Sequence, residues 1–414
     1  MNNILIWSIS FIAIAGVIIR PFKVTEAFYA VSGAFVLIIL QLISTSDALA
    51  GVAKGLDVYL FLTGMMLLAE TAREEKLFDW LAAHATIMAK GSSGKLFLLI
   101  YLVGIIVTVF LSNDATAVVL TPAVAAVVKT AKVEKPLPYL LICAFVANAA
   151  SFVLPISNPA NLVIYGTHMP SLLHWLGQFL IPSVCAITVT YFMLRYTQRD
   201  CFTEKIETDI ELPQLTQGGK MALIGICVTT VVLLVSSAWN IQLGLPTAIT
   251  GIITTVIVLA RTNKNPVTIV KGVSWSVLPL VAGLFIIVEA LNETGMIQQL
   301  TALLMHTISR SEAAAVWLSG SVVAVACNLV NNLPAGLIAG SVLQNGHVPE
   351  SVKSAVLIGV DLGPNLSITG SLATILWLVA LRREGQEISA WTFLKLGSMI
   401  MTAALLISIL SLWI

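Results

Sequence analysis

The chain has 414 residues, of which 58% are hydrophobic and only 10% charged, with a formal net charge of +1. Soluble domains carry about 25% charged residues, so this composition excludes a soluble enzyme, a nucleic-acid-binding protein, a secreted disulfide scaffold and a disordered chain. Apolar runs long enough to cross about 30 Å of hydrocarbon separate clusters of charge. The composition therefore predicts an all-α polytopic membrane protein embedded in a lipid bilayer.

In chain order, the predicted elements begin with an apolar helix over 4–20. Several later apolar runs, such as 115–128 and 333–343, are too short to span a bilayer and lie beside Asn, Pro or Gly, which favours re-entrant hairpins and interrupted helices. We expect the following order: in residues 1–194 a hairpin near 96–128 and a broken helix near 137–166, then a polar loop at 195–220, and in residues 221–414 a hairpin near 312–343 and a broken helix near 352–381.

The segments on the two sides of the polar loop resemble two copies of one unit. Glu70 and Glu289 each follow a glycine by six residues, and polar clusters containing Asn113 and Asn331 come next at an offset of about 218 residues between copies. Both glutamates close an apolar run beside other charges, so we interpret them as solvated helix ends.

Basic residues alternate between matching loops of the two copies. Arg20 and Lys23 follow the first helix of copy one, whereas the matching turn, 239–245, has no basic residue; after the second helix, Arg261 and Lys264 reverse the bias. Basic residues in short loops mark the cytoplasmic side. The pattern predicts an inverted-topology repeat in the cytoplasmic (inner) membrane, with the N-terminus outside and the polar loop cytoplasmic. Such repeats are typical of secondary transporters, whose site lies between the copies near the midplane.

Polar clusters inside apolar segments supply the candidate site. An ionised Asp114 or Asp361 at this depth costs at least about 2.5–3.5 kcal/mol, so each either handles substrate or protons or caps a helix. Amides suit a neutral hydroxylated ligand or a partly dehydrated cation, or else they hold a hairpin together. The candidate residues of the four clusters are Ser112, Asn113, Asp114 and Thr116; Asn148, Ser157, Asn158 and Asn161; Asn331 and Asn332; and Asp361, Gly363, Pro364, Asn365 and Thr369.

Enzymatic motifs are missing from the sequence. It contains no HExxH, GxSxG, Walker or GxGxxG pattern, and its five cysteines are dispersed, which is typical of small apolar packing residues. We therefore expect no metal site, no cofactor, no ATP hydrolysis by this chain and no nucleic-acid partner. These expectations describe a secondary transporter that is not an enzyme.

The clusters resemble the arsenite efflux permeases of the ArsB family. The most specific stretch is 358–377, which contains Asp361-Leu-Gly363-Pro364-Asn365, and the resemblance runs from about residue 4 to the end. It also includes Asn113-Asp114 with Leu120-Thr-Pro122, Ser157-Asn158 with Asn161, and Asn331-Asn332-Leu-Pro334. Two departures are Asn148, where the ArsB pattern has an Asp, and Pro159, which is more typical of the wider ion-transporter superfamily.

The resemblance implies export of neutral arsenous acid and antimonite, driven by protons, with a soluble arsenical ATPase at the cytoplasmic face as the partner of some relatives. Asp114 and Asp361 would couple protons, and Ser112, Asn148, Ser157, Gly363, Pro364, Asn365 and Thr369 would support the site. The ligand would then be bound by Asn113, Asp114, Thr116, Asn158, Asn161, Asn331 and Asn332.

Three other functions stay open at this point. A sodium/proton antiporter of the same superfamily would use the same carboxylates and carbonyls. An intramembrane aspartyl protease would pair Asp114 with Asp361, although the sequence has no GxGD-like motif. A passive membrane dock would bind a soluble ATPase through residues 195–220.

Overall fold

The computed structural model describes residues 2–20, 24–166, 169–202, 206–207 and 213–413. Lys23 of the charge pattern and parts of the polar loop, 203–205 and 208–212, lie outside these described residues. Within them the chain is helical and contains no strand, as the composition predicts.

The helices form two series of similar order on the two sides of the polar loop. The first series is α1 Asn2–Ile19, α2 Glu26–Ile39, α3 Thr45–Lys54, α4 Leu56–Glu74, α5 Leu77–Met88, α6 Ser93–Phe110, α7 Asn113–Ala115, α8 Thr121–Thr130, α9 Leu137–Ala149, α10 Pro159–Tyr165 and α11 Leu172–Thr197. The second series is α12 Gln217–Ala238, α13 Gly244–Thr262, α14 Pro266–Gly272, α15 Val277–Glu293, α16 Met296–Arg310, α17 Glu312–Val330, α18 Asn332–Gln344, α19 Glu350–Leu362, α20 Leu372–Arg383 and α21 Ala390–Leu410.

Eight helical segments of the described chain are long and apolar enough to cross a membrane. A ninth arises if α3 and α4, which meet at a bend of 46°, count as one span. The eight are Asn2–Ile19, Ser93–Phe110, Leu172–Thr197, Gln217–Ala238, Gly244–Thr262, Pro266–Glu293, Glu312–Val330 and Ala390–Trp413. The prediction of an all-α polytopic membrane protein is confirmed.

Helices break at the polar clusters. A π-helical turn, Thr116–Leu120, joins α7 to α8, and Asn331 adopts a left-handed φ of 74° between α17 and α18. Short 3₁₀ turns at Pro155–Ser157 and Gly363–Leu366 follow α9 and α19. Proline lacks the backbone N–H and clashes with the preceding turn, so Pro155 and Pro364 favour ending the regular helix there.

Helices from the two series pack on each other reciprocally. α4 packs against α13 while α15 packs against α2, and α10 contacts α18 while α20 contacts the π-helical turn and α8. This exchange of partners places the broken segments of both halves at one interface. The inverted orientation of the two halves stays a prediction.

Close backbone approach between α4 and α13 depends on glycine. A Cβ at Gly64 would lie 2.2 Å from the carbonyl oxygen of Thr247. We expect Gly64→Ala to lower the free energy of unfolding by about 2 kcal/mol, because overpacking a tight contact forces the helices apart. Thermal unfolding of the detergent-purified protein measures this loss. Gly177→Ala is the matched control, since nothing lies within 4 Å of its added Cβ; equal stability of the two variants would contradict the expectation.

Candidate functional site

One cavity brings together predicted site residues from both halves of the chain. Its described lining includes Asn113 and Asp114 of α7, Asn158 at the start of α10 and Asn332 of α18. Ser371, before α20, completes its polar side. We call this space the polar cavity. The sequence stretches that supply it are separated by up to about 258 residues, and the helix breaks bring them together.

Capping interactions fix the polar residues at the helix starts. Ser112 Oγ accepts a hydrogen bond from Ala115 N at 3.1 Å, and Asn158 Oδ1 accepts one from Ala160 N at 3.0 Å. In the other half, Asn331 caps α18 and Ser371 Oγ accepts from Thr374 N at 3.1 Å. Side-chain caps satisfy backbone donors that a helix start leaves unpaired. The N-terminal ends of four helical segments therefore border the polar cavity.

An apolar part of the lining comes from helices α4 and α15. It is formed by Leu62 of α4 and by Val277 and Val281 of α15. The described residues that line the cavity include no Lys, Arg or His, and Asp114 is their one ionisable group. The cavity can therefore offer a small solute amide, hydroxyl and carboxylate groups together with hydrocarbon surface.

Asp361 lies behind the polar cavity and is fully buried. Its Oδ1 accepts a hydrogen bond of 2.6 Å from Asn158 Nδ2. The same Asn158 borders the cavity, so one amide connects the second intramembrane carboxylate with the space that contains Asp114.

A second buried network joins the broken segments of the two halves. Asn148 Nδ2 of α9 donates to Asn365 Oδ1 at 2.9 Å and lies 3.4 Å from Thr374 Oγ1. Asn365 Nδ2 in turn donates to the carbonyl of Phe145 at 3.1 Å. An amide both donates and accepts, so the pair Asn148–Asn365 holds the two breaks together.

The remaining predicted residues lie outside the described lining of the polar cavity. Asn161 donates to Ser151 O at 2.9 Å, and Asn331 donates to Thr369 O at 3.3 Å. Thr116 contacts Thr108 Oγ1 at 2.8 Å. The other contacts are those of Ser157 Oγ to Val109 O, of Thr369 Oγ1 to Asn328 O, and of Gly363 and Pro364 with the backbones near Ala324 and Gly370.

Two further cavities adjoin the polar cavity, and we call the inner one the passage and the outer, charged one the vestibule. The passage shares Leu62, Asp114, Pro159 and Val277 with the polar cavity, and the lining of the vestibule includes Arg73 and Arg383. The passage and the vestibule meet at a neck, defined by the six residues that line both: Glu70, Val118, Val119, Gly272, Ser274 and Leu376.

Glu70 of the passage and Ser371 of the polar cavity are candidate functional residues that were not predicted as site residues. Glu70 is only 6% exposed, so its interpretation as a solvated helix end is wrong. Ser371 belongs to the polar stretch that follows Asp361 but did not stand out from its neighbours. The matching positions of Glu70 and Glu289 in the two halves could have indicated that Glu70 is functional. Glu289 likewise lies near the end of its helix and pairs with a basic residue, Lys54.

Eight apolar spans with polar cavities between broken helices define the class of protein: a multi-pass helical membrane transporter. The profile of the CitMHS family, described as citrate transporter, matches residues 11–359. The chain therefore belongs to the CitMHS family.

Several relatives of the chain are arsenical pump membrane proteins. The chain is 27% identical to the arsenical pump membrane protein of Yersinia enterocolitica over 344 residues, which cover 80% of each chain. It is also 27% identical to the arsenical pump membrane protein of Escherichia coli K12, again with 80% of each chain covered. The ArsB resemblance of the sequence is confirmed.

Solved structures share the fold. The Alcanivorax borkumensis YdaH transporter superposes with a TM-score of 0.58 at 15% identity, covering 88% of this chain and 86% of that one. Neisseria gonorrhoeae MtrF superposes with a TM-score of 0.55 at 12% identity, covering 99% and 94%. These similarities establish the transporter fold.

Proposed function

We propose that this protein exports neutral trivalent arsenic and antimony, as arsenous acid and antimonite, across the cytoplasmic membrane in exchange for protons. The observation that carries the proposal is the polar cavity, in which amides from both halves and one carboxylate meet without a basic side chain among its described lining residues. Arsenous acid is an uncharged triol at neutral pH, and such groups can donate to and accept from its hydroxyls. The arsenical pump relatives support the same substrate.

Asp114 provides a means of coupling opposite fluxes. When ionised, a carboxylate accepts a hydrogen bond from a substrate hydroxyl; once protonated, it loses much of that accepting capacity. A proton and a substrate molecule would therefore compete for Asp114, and arrival of one favours departure of the other. Asp361 would respond in the same way through Asn158, whose amide it fixes at 2.6 Å.

The vestibule would face the cytoplasm. It contains Arg73, Lys76, Lys271 and Arg383, and basic residues near membrane ends favour the cytoplasmic side. This orientation places the N-terminus outside and the polar loop inside, where a soluble arsenical ATPase would dock if this chain uses one. Transport that is unchanged by deletion of 203–212 in cells without such an ATPase would separate docking from transport.

Expression in bacteria that lack their own arsenite exporter tests the proposed function. We expect the chain to restore growth on arsenite and to lower the arsenic content of the cells. Membrane expression verified by immunoblotting, with no gain in resistance, would contradict the proposal.

An anionic substrate such as citrate is a second candidate. Helix N-termini favour negative charge, four helical segments begin at the polar cavity, and the family profile is described as citrate transporter. Against an anion, the cavity already contains the Asp114 carboxylate and its described lining has no cation. Uptake of labelled citrate, but not of arsenite, into everted vesicles would favour the second candidate.

A sodium/proton antiporter would use the same cavity for a different ion. Everted vesicles also distinguish this alternative, because sodium would then evoke a proton signal that arsenite does not evoke. We expect the reverse: a signal with arsenite and none with sodium.

Asn332 would contribute hydrogen bonds to the solute. We expect Asn332→Ala to raise the KM for arsenite about tenfold, since one hydrogen bond contributes about 0.5–1.5 kcal/mol. Asn345→Ala is the matched control, because Asn345 lies exposed at the other end of α18. Initial rates of arsenite uptake into everted vesicles measure both variants. An unchanged KM for Asn332→Ala would remove this residue from the binding site.

A further inference from the structure

The neck contains a single charged residue among the part of the chain that the structure describes, and that residue is Glu70. Arg73, one helical turn further along α4, donates from Nε to Glu70 Oε2 at 2.8 Å and from Nη2 to Oε1. Arg73 is 44% exposed towards the vestibule side, whereas the Glu70 side chain is 7% exposed. The carboxylate therefore stands between the arginine and the interior of the protein.

The Glu70 carboxylate lies against the backbone at Gly272. A Cβ at Gly272, the last residue of α14, would lie 1.6 Å from Glu70 Oε1. A Cβ there would displace the carboxylate from its present position, so the missing Cβ lets the carboxylate lie against the backbone of α14. The contact fixes the charge of Glu70 within the neck.

Charges are balanced in the lining of the vestibule, which includes Glu70, and are negative in the lining of the passage. The described vestibule lining has four acidic residues, Glu70, Glu74, Asp79 and Glu384, and four basic residues, Arg73, Lys76, Lys271 and Arg383. The described passage lining has Glu70 and Asp114 as its ionisable groups and no basic one. The ion pair of Glu70 with Arg73 leaves no net positive charge at the neck, and the passage beyond it contains only carboxylates among its described ionisable groups. An anion therefore meets no attracting charge before it reaches the helix N-termini of the polar cavity.

We infer that Glu70 determines the specificity for neutral solutes. Lying against Gly272, it neutralises Arg73 at the neck, and anions are thereby excluded from a polar cavity whose helix N-termini would otherwise attract them. This inference rests on the proposed export of a neutral solute. The excluded class is that of small carboxylate or oxyanion solutes, for which citrate is the probe.

Arsenite uptake into everted vesicles, with citrate added outside, tests the role of Glu70. Glu70→Gln keeps the shape of the side chain, removes its charge and leaves Arg73 with Glu74 as its remaining ion-pair partner. We expect citrate to inhibit uptake by this variant at a concentration about tenfold lower than for the wild type, because Arg73 loses the buried carboxylate that binds it through both oxygens. The double variant Glu70→Gln/Arg73→Gln restores the balance of charge and should return to within about twofold of the wild type.

Glu74→Gln is the matched control. This variant removes a negative charge from the vestibule one turn further along α4. Glu74 also accepts a hydrogen bond from Arg73, at 2.9 Å, but does not line the passage. Its citrate sensitivity should stay at the wild-type level. Equal sensitivity of Glu70→Gln and the wild type, or an equal fall for Glu74→Gln, would overturn the inference.

Citrate binding provides a readout that does not depend on arsenite transport. In detergent, citrate should raise the melting temperature of Glu70→Gln and leave that of the wild type and of the double variant unchanged. Absence of arsenite uptake by the wild type contradicts the proposed function alone, whereas citrate stabilisation of the wild type contradicts the role of Glu70.

Discussion

Asp114→Asn is expected to abolish proton-driven arsenite transport, with a fall in the initial rate of about 100-fold. The amide keeps the size of the side chain but neither ionises nor takes up a proton, so the competition between proton and substrate is lost. A hydrogen bond to a charged group contributes about 1.5–3 kcal/mol, which corresponds to about 10-fold to 150-fold in affinity. Because Asp114 is the ionisable residue of the described polar-cavity lining, no neighbour there can replace it.

The measurement is arsenite uptake into everted vesicles with an imposed proton gradient. Asp200→Asn is the matched control, since the Asp200 side chain is 92% exposed in the polar loop; it should transport at the wild-type rate. Arsenite–arsenite exchange without a gradient should also fail in Asp114→Asn, because the substrate loses a ligand. Proton-driven uptake by Asp114→Asn at more than half the wild-type rate would exclude this residue from coupling.

Asp361→Asn is expected to have a different effect. Asp361 is fully buried, does not belong to the described lining of the polar cavity, and contacts Asn158, which does. Its loss should therefore affect the proton step more than the binding of the solute. We expect proton-driven uptake to fall about tenfold, equivalent to about 1.4 kcal/mol. Arsenite–arsenite exchange, which requires no net proton release, should stay within about twofold of the wild type.

Separating coupling from folding requires a second measurement on this variant. A buried Asn in place of Asp361 still offers an oxygen to Asn158, so the melting temperature in detergent should change little. Loss of both transport modes together with a lower melting temperature would assign Asp361 a structural role, as a partner of Asn158, and would contradict its role in coupling.

The sequence predicts the helix breaks and four of the residues at the cavity. Polar residues inside long apolar runs must be paired or must face a cavity, because lipid satisfies no hydrogen bond. Asn113, Asp114, Asn158 and Asn332 all meet this condition at one cavity. Helix-capping residue types at each break indicated where the helices begin again.

The direction of each side chain could not be read from the sequence. Asn161 and Asn331 are asparagines of the same polar clusters as Asn158 and Asn332. Their amides nevertheless donate to backbone carbonyls beside the helix breaks. Thr116 turns towards Thr108 of α6 because the π-helical turn shifts the helical register just after Asp114. Register and rotation at a break depend on tertiary packing, which a local pattern does not contain.

Burial of Glu70 was also beyond the sequence pattern. Charged neighbours such as Arg73 and Glu74 suggest a solvated helix end. In the structure, however, the carboxylate packs against the backbone of Gly272, about 200 residues away along the chain. A contact of this kind is visible only when both halves are assembled.

Arsenite transport by the purified chain in proteoliposomes, with the proton gradient as the only variable, tests the central claim most directly. A gradient that is acidic inside vesicles with an outward-facing vestibule should drive accumulation of arsenite and should dissipate as arsenite enters. Sodium should produce neither effect. Arsenite fluxes that are independent of the proton gradient, or a proton flux evoked by sodium and not by arsenite, would contradict proton-coupled export.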